Sequence, residues 1–272
     1  MNTDKPGTAL LIVVIVALVC SVLVSASAIG LRPIQERNAL IERSRNIVAL
    51  SGLVEPGRAM SGDEILAAID QMDVRVLDID TGEFDDSIDL QEFDPRAAVL
   101  DPDLGIAIPT ELDLAQLGRR SRYEIVYLVW DGQSVTRVIL PIVGQGMWST
   151  LYGYIALESD LNTIAAATFY EQAETAGLGD KITDPDWLAT WQGRALYGTD
   201  GRVRFRVAAG PVESGSPAAA YEVDAISGAS VTGSAVSRLV EYWFSRNGYA
   251  PFLENLRNEP PQRMAALERS ER

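Results

Sequence analysis

Residues 221–256 read YEVDAISGASVTGSAVSRLVEYWFSRNGYAPFLENL, and this stretch decides how the rest of the chain is interpreted. A short apolar run leads into a loop of small residues, 227–230. Apolar side chains then recur at helical spacing, which predicts an amphipathic helix that ends before Gly248. The helix N-terminus carries hydroxyls and free backbone N–H groups, a favourable place for a phosphate. By itself the pattern is explained more simply by an ordinary Ser or Thr N-cap.

Composition limits the chemistry. The chain has 272 residues, 47% of them hydrophobic, and can bury a sizeable core. It contains no His and a single Cys, Cys20. Catalysis by Ser-His-Asp or Cys-His groups, His-containing zinc sites and disulfides within the chain are therefore excluded. Any redox chemistry requires a bound cofactor.

The negative charge is concentrated in one segment. The net charge is −15, and residues 61–115 contain 16 acidic and 2 basic residues, so the remainder is close to neutral. This balance argues against nucleic acid as a partner. The alternative is a divalent-cation or sodium site built from these carboxylates, but EF-hand spacing is absent. We therefore expect a solvated acidic face with turns at Pro95, Pro102 and Pro109.

The N-terminal region predicts a membrane anchor. Residues 6–31 are 26 residues without a charge, enough to span a hydrocarbon core of about 30 Å. A cleaved signal peptide is the alternative, with Ala26-Ser27-Ala28 as its cleavage site. The length of the apolar centre favours a retained single-pass anchor. A helix over residues 35–50 is expected to follow, and its arginines would place the domain in the cytoplasm by the positive-inside rule.

The second half of the chain has a β pattern. Asp131-Gly132 lies between two apolar runs, 123–130 and 135–143, and predicts a hairpin. Further hairpins are predicted for residues 151–157 with 163–170 and for residues 195–197 with 203–208. Short strands are expected at 74–79 and 221–223 and a short helix at 63–69. This predicts an α+β fold, in which one transmembrane helix precedes a mixed or antiparallel sheet flanked by helices.

The loop before the amphipathic helix resembles the flavin attachment motif in the C subunit of the Na+-translocating NADH:quinone reductase (Na+-NQR), and the matching positions are Asp224, Ser227, Gly228, Ala229 and Ser230. In that family the last position is Thr, and FMN is joined to its hydroxyl through the phosphate. Ser230 is a primary alcohol that can form the same ester, and Thr232 is a second candidate. The backbone N–H groups of residues 231–233 are expected to stabilise the phosphodiester. Asp224 is expected to be recognised by the flavin transferase or to orient the loop.

Three other segments resemble the same family: 140–149, 170–179 and 186–193. The family has Gly-Glu-Thr-Pro-Gly-Leu-Gly where this chain has residues 173–179, AETAGLG. The resemblance implies a set of FMN-binding residues: Trp148, Glu174, Thr175, Gly177, Leu178, Gly179, Asp224, Ser227, Gly228, Ala229, Ser230, Val231 and Thr232. For residues 140–149 the alternative is a bulged strand end with a core Trp. Residues 186–193 are expected to be structural core.

The resemblance implies an electron-relay subunit of a Na+-pumping NADH:quinone oxidoreductase, with covalent FMN and with neither a complete active site nor a metal site of its own. Its implied partners are the other subunits of the complex, the lipid bilayer and a flavin transferase. The family keeps the N-terminus inside and the domain on the periplasmic side of the inner membrane, contrary to the charge rule. Two alternatives remain: the G subunit of the Rnf ferredoxin:NAD+ oxidoreductase, which shares the motif, and a non-redox membrane-tethered adaptor.

The predicted organisation has six parts. A cytoplasmic N-terminus (1–8) precedes the transmembrane helix (9–31) and then a juxtamembrane helix and linker (32–60). The soluble part begins with an acidic α/β segment (61–118), continues with the FMN-binding core (119–258) and ends with a polar tail (259–272).

Overall fold

The computed structural model describes residues 6–55 and 57–263. Parts of the predicted N-terminus (1–5) and polar tail (264–272) and residue 56 lie outside the described residues. The helices are α1 (Pro6–Ser51), α2 (Gly62–Ile69), α3 (Pro95–Ala98), α4 (Pro185–Ala189), α5 (Ser230–Trp243) and α6 (Ala250–Asn258). The strands are β1 (Asp73–Asp78), β2 (Glu83–Phe84), β3 (Gly105–Ala107), β4 (Arg119–Ser121), β5 (Tyr123–Asp131), β6 (Ser134–Gln145), β7 (Thr150–Glu158), β8 (Ile164–Glu171), β9 (Arg206–Val207) and β10 (Glu222–Val223). Short 3₁₀ helices span Gly179–Thr183 and Pro217–Ala220.

Helix α1 is continuous over 46 residues and includes Pro33. The sequence predicted two helices separated at residues 32–34, and the structure joins them into one. By length and composition α1 can cross a membrane, and it is the one such helix within residues 6–55 and 57–263. The last turns of α1, in contrast to its apolar first part, belong to the domain, where Ile47 and Leu50 are buried. Arg137 Nη1 in β6 donates to the Leu50 carbonyl at 2.9 Å and fixes this end of the helix.

The centre of the domain is a six-stranded antiparallel sheet with the order β2-β1-β5-β6-β7-β8. The predicted hairpin at Asp131-Gly132 is confirmed as β5–β6, and Gly132 takes the positive φ of 62° that the turn requires. The second predicted hairpin is confirmed as β7–β8. The mixed helix and antiparallel-sheet architecture is therefore the one that the sequence predicted.

The third predicted hairpin is present only as a tight turn with a single antiparallel bridge. Tyr197 and Val203 form one isolated bridge, and the residues on either side do not continue as an antiparallel pair. Strand β9 pairs in parallel with β10 instead. The Ser237 hydroxyl in α5 accepts a hydrogen bond from Val207 N at 2.9 Å, so β9 is held by the amphipathic helix as well.

Both faces of the sheet are covered. On one face, sheet residues such as Val138, Leu140 and Ile155 share a core with Leu239 of α5 and Phe252 of α6. Two hydrogen bonds tie these helices to β6, from Trp243 Nε1 to the Val143 carbonyl (2.6 Å) and from the Tyr249 hydroxyl to the Pro141 carbonyl (2.7 Å). On the other face Arg96 of α3 stacks on Tyr152 of β7, with Cζ 3.8 Å from the ring centroid.

Several carboxylates of the acidic segment, residues 61–115, form turns. The side chains of Asp85, Asp89, Asp94 and Asp101 each accept a backbone N–H two residues further on. Short Asp side chains stabilise turns in this way. In the described part of the chain no group of three or more His, Cys, Asp or Glu residues is arranged to hold a metal ion.

Candidate functional site

Three parts of the chain meet at one end of the sheet and form the candidate site. The first is the turn between β6 and β7, residues 146–149, called here the Trp148 turn. The second is the loop after β8, residues 172–178, called here the Glu174 loop. The third is the N-terminus of α5 at Ser230. Strand β6 ends, β7 begins and β8 ends at the same end of the antiparallel sheet, so the first two parts are neighbours.

The acceptor predicted from the sequence, Ser230, is exposed at the first position of α5. The N-cap residue is Ala229, which has no side-chain oxygen to cap the helix. By contrast, helices α2, α3 and α4 are capped by Ser61, Asp94 and Asp184. An uncapped N-terminus leaves N–H groups and a positive dipole end available to an anion.

The first intrahelical bond of α5 runs from Gly233 N to the Ala229 carbonyl at 3.0 Å. The expectation that the Gly233 N–H would stabilise a phosphate is therefore wrong, because the helix itself uses that donor. The N–H groups that lack an intrahelical acceptor are those of the three preceding residues, 230–232.

Gly228 gives the loop its shape. Its φ is +77°, a conformation that L side chains rarely adopt, and an added Cβ would lie 2.7 Å from Leu178 Cδ2. The close approach of Leu178 brings the Glu174 loop against the loop that precedes α5. The positive φ favours glycine at this position, and any larger residue would also have to displace the end of the exposed Leu178 side chain.

Each of the three parts carries at least one exposed large apolar side chain. Large apolar residues are usually buried, yet the exposed fractions are 66% for Trp148, 50% for Val231, 47% for Met147 and 42% for Leu178. We call these four the apolar rim. The alternative of a core Trp at position 148 is wrong, since that side chain faces solvent. Met147 was not among the predicted site residues, although it lies in a segment whose resemblance was noted.

The buried Glu174 side chain connects all three parts of the site. Its carboxylate accepts hydrogen bonds from the backbone N–H groups of Met147 (3.2 Å), Trp148 (2.9 Å) and Ser149 (3.2 Å) and from the Thr232 hydroxyl (2.6 Å). Burial alone would raise the pKa of Glu174. The bond from Thr232 and the three backbone bonds outweigh burial and hold the pKa below its ordinary value, so the group is a carboxylate.

Thr232 and Ser230 differ in access, although two positions separate them. Thr232 is 1% exposed and its hydroxyl donates to Glu174, whereas Ser230 is exposed. Gly179 is buried beside this bond, and a Cβ there would lie 3.0 Å from Thr232 Oγ1. Thr175 and Gly177 are exposed on the Glu174 loop.

Asp224 organises the chain before the acceptor loop. Its carboxylate accepts from Val212 N at 2.7 Å, and its carbonyl accepts from Trp187 Nε1 at 2.9 Å. Trp187 packs edge-on against Trp191, which is completely buried, so the expectation of core structure in residues 186–193 holds for Trp191. Ser227 is exposed between Asp224 and Ser230.

These residues suit a ligand with two unlike ends. The uncapped helix N-terminus at Ser230 favours an anionic group such as a phosphate. The apolar rim offers flat and aliphatic surface to an aromatic ring system. FMN has both parts, and the residues present fit it without rearrangement of the buried Glu174.

The comparison with known families agrees with this geometry. Residues 146–245 match the FMN-binding domain family, from the Trp148 turn to just beyond α5. The matched region contains all three parts of the site. Fold and site together thus define an FMN-binding domain.

The chain belongs to the NqrC family, the C subunits of the Na(+)-translocating NADH-quinone reductase. It is 40% identical over 257 residues to the C subunit from Pseudomonas aeruginosa, and the match covers 94% of this chain and 98% of the relative. It is 36% identical to the C subunit from Vibrio alginolyticus, over 94% of this chain and 97% of the relative. The crystal structure of Shewanella oneidensis NqrC superposes with a TM-score of 0.72 at 32% identity, covering 83% of this chain and 100% of the other. The resemblance inferred from residues 224–230 is confirmed.

Proposed function

We propose that this chain is an electron-relay subunit of a membrane-bound Na+-translocating NADH-quinone reductase and carries FMN on Ser230 through a phosphoester bond. The family membership supports the place in the complex. The observation that carries the attachment is the exposed Ser230 at the uncapped N-terminus of α5, next to Val231 of the apolar rim. Bound FMN supplies the redox chemistry, which the chain's own side chains lack.

The residues around Ser230 have separate roles in this proposal. Ser230 Oγ would give up its proton and attack the flavin-bearing phosphorus of a donor in which that phosphate is joined to a second nucleotide by an anhydride bond. The anhydride bond would break and the second nucleotide would leave as its phosphate, in a step that a flavin transferase catalyses. The N–H groups of residues 230–232 and the helix dipole then stabilise the remaining negative charge of the phosphodiester. Asp224 orients the loop through its bonds to Val212 and Trp187. Trp148 and Leu178 shield one part of the ring from water.

The test is a denaturing gel of the full chain, co-expressed with a flavin transferase and viewed under ultraviolet light. We expect a fluorescent band for the wild type and for Thr232→Val, and none for Ser230→Ala. Ser230→Thr restores the family's residue and is expected to be fluorescent. Fluorescence in Ser230→Ala would place the bond elsewhere. No fluorescence in wild type or Ser230→Thr, with a transferase that modifies another substrate, would favour the adaptor alternative.

We further propose that α1 anchors the chain in the inner membrane with the domain on the periplasmic side. Cys20 is the single cysteine and lies in the apolar part of α1, so an added cysteine is the one thiol in the aqueous domain. Ser214→Cys, at an exposed position, is expected to react with a membrane-impermeant maleimide in intact cells. Asn2→Cys is the matched control and is expected to react only after lysis. The opposite pattern would place the domain in the cytoplasm.

A further inference from the structure

The bonds of the Glu174 carboxylate are unusual in number and origin. One oxygen, Oε1, accepts from Trp148 N at 2.9 Å and Ser149 N at 3.2 Å. The other, Oε2, accepts from Met147 N at 3.2 Å and from the Thr232 hydroxyl at 2.6 Å. The residue is 7% exposed. One buried anion thus joins three consecutive amides of the Trp148 turn to the first turn of α5.

The carboxylate of Glu174 is closely packed by the residues around it. An added Cβ on Gly146 would lie 2.6 Å from Glu174 Oε1, and one on Gly179 would lie 2.9 Å from Glu174 Cβ. The Glu174 N–H is itself held by Gln172 Oε1 at 2.6 Å. The Ser149 hydroxyl accepts a hydrogen bond at 2.7 Å from the N–H of Ala173, the residue before Glu174. The carboxylate therefore cannot shift without moving one of the three parts of the site.

We propose that Glu174 is a positioning residue that fixes Trp148 relative to Ser230, so that a flavin ring attached at Ser230 stacks against Trp148. This inference rests on the proposed function, because the ring reaches the site through Ser230. Trp148 is 66% exposed, so few side-chain contacts hold it, and its own backbone N–H is bonded to Glu174. Thr232 lies two residues after Ser230 and bonds to the same carboxylate. Glu174 is buried and acts through its hydrogen bonds to Trp148 N and to the Thr232 hydroxyl.

Glu174→Gln is the informative variant because it preserves volume and removes acceptor capacity. A glutamine has one acceptor oxygen, and its NH₂ group donates. Whichever way the amide turns, the NH₂ faces at least one backbone N–H that now bonds to a carboxylate oxygen. The unpaired donor weakens the Trp148 turn without opening a cavity. Glu171→Gln is the matched control, since Glu171 is exposed and pairs with Arg96.

The experiment measures flavin fluorescence of the purified holoprotein before and after denaturation. Covalent attachment makes each sample its own reference, so the ratio does not depend on how much flavin was loaded. A tryptophan stacked on a flavin quenches its emission, and we expect a low native-to-denatured ratio in the wild type and in Glu171→Gln. We expect Glu174→Gln to raise the native-to-denatured ratio. The upper limit is the ratio of Trp148→Phe, in which the quenching tryptophan is absent. Circular dichroism and thermal unfolding establish that each variant is folded.

A double-mutant cycle separates positioning from a general structural role. If Glu174 acts through Trp148, then Glu174→Gln changes the ratio in the wild-type background and has no effect when Trp148 is already Phe. An equal effect in both backgrounds, or a wild-type ratio in Glu174→Gln, would overturn the proposal. Should Glu174→Gln fail to fold, Thr232→Val removes one bond to the same carboxylate and must raise the ratio, while Thr232→Ser must not.

A second readout decides the matter without flavin. In the flavin-free Ser230→Ala protein, we expect slow amide hydrogen exchange at Met147, Trp148 and Ser149, and faster exchange when Glu174→Gln is added. Equal exchange rates in the two proteins would contradict the positioning role. If the wild type carries no flavin at all, the proposed attachment fails, and this exchange measurement still tests whether Glu174 holds the Trp148 turn.

Discussion

At the scale of single residues, access separates two hydroxyls that the sequence presents as near equivalents. Ser230 and Thr232 both lie in the segment that resembles the flavin motif. Helical geometry turns residues two positions apart to different sides, so Thr232 points inward to Glu174 while Ser230 stays exposed. The choice between them depends on Glu174, 58 positions before Thr232, and no local pattern reveals that partner.

Gly228 provides a residue-scale prediction. Gly228→Ala must adopt a φ near +77° and place its Cβ 2.7 Å from Leu178 Cδ2. Gly177→Ala is a matched control, with φ +76° and nothing within 4 Å of the added Cβ. We expect each to lose about 1–2 kcal/mol of stability from the backbone conformation. Only Gly228→Ala should also lose flavin incorporation, measured by in-gel fluorescence, because only it displaces Leu178.

Adding Leu178→Ala to Gly228→Ala removes the clash and is expected to restore part of the incorporation. Equal incorporation in the two single glycine variants would show that the contact between Gly228 and Leu178 has no part in the site.

Glu124 in β5 provides a prediction on pH. Burial is the main cause that raises the pKa of this half-buried residue to about 8, although the Ile125 N–H and Arg120 partly oppose it. The ordinary pKa of a Glu is 4.5. Between this pH and about pH 8, Glu124 keeps its proton in the folded chain and releases it in the unfolded chain. Stability from this group is therefore complete below pH 4.5 and falls as the pH rises, by at most about 1.4 kcal/mol per unit.

Glu124→Gln removes this titration. Urea unfolding of the full chain in detergent, repeated from pH 5 to pH 9 in steps of about one unit, should show a flatter pH profile for the variant than for the wild type. Parallel profiles would contradict the assignment of a raised pKa to Glu124.

At the scale of elements, local signals predicted local pairs and failed on distant ones. The Asp131-Gly132 signal predicted the β5–β6 hairpin. Asp131 pairs with Ser134, so the two-residue turn is Gly132-Gln133, and a turn of that length fixes its own register. Residues 199–201 carry a similar signal, yet they support only the bridge between Tyr197 and Val203. The competing partner of β9 is β10, about 16 residues further on, and α5 holds it through Ser237. Such pairing is set by packing and not by turn chemistry.

Helix α3 provides an element-scale prediction, because its Arg96 side chain attaches it to two strands of the sheet. Arg96 stacks on Tyr152 of β7 and donates to the Tyr170 hydroxyl (3.3 Å) and to Glu171 (2.8 Å) of β8. Arg96→Ala is expected to lower the free energy of unfolding by about 1–3 kcal/mol, from the lost stacking and hydrogen bonds. Arg96→Lys keeps the charge without the planar stacking and should recover only part of the loss.

The Glu171→Gln variant serves as the control for the ion pair. That pair is exposed, so its removal is expected to cost less than about 1 kcal/mol in the same urea titration. If Glu171→Gln and Arg96→Ala destabilise equally, the ion pair and not the aromatic stacking holds α3.

At the scale of the whole molecule, the last turns of α1 form part of the domain. Ile47, Val48 and Leu50 are 2%, 2% and 4% exposed. A chain that begins at Gln35 keeps these side chains, whereas one that begins at Leu53 loses them. Each buried aliphatic side chain contributes about 1.5–3 kcal/mol, so we expect the shorter chain to be less stable by about 5–9 kcal/mol.

Chemical unfolding of the two truncated proteins, followed by tryptophan fluorescence, tests this. Indistinguishable unfolding midpoints would mean that the end of α1 contributes nothing to the domain and that its burial has no energetic consequence.

The sequence predicted which residues form the site better than it predicted how they are arranged. The resemblance assigned Trp148, Glu174 and Ser230 to one site although they are far apart in the chain. It did not distinguish the exposed rim from the buried carboxylate beneath it, because residue identity alone does not give burial. The exposed Trp148 and the buried Glu174 reverse the usual preferences of their residue types.

The central claim, that FMN is esterified to Ser230, is tested most directly by tandem mass spectrometry of the protein isolated with its transferase. Trypsin cleaves after Arg206 and Arg238 and releases one peptide, residues 207–238, that contains both candidate hydroxyls. We predict that this peptide carries the added mass of FMN less one water and that its fragment ions place the added mass on Ser230. Fragments that place it on Thr232, or an unmodified peptide as the only species, would contradict the account.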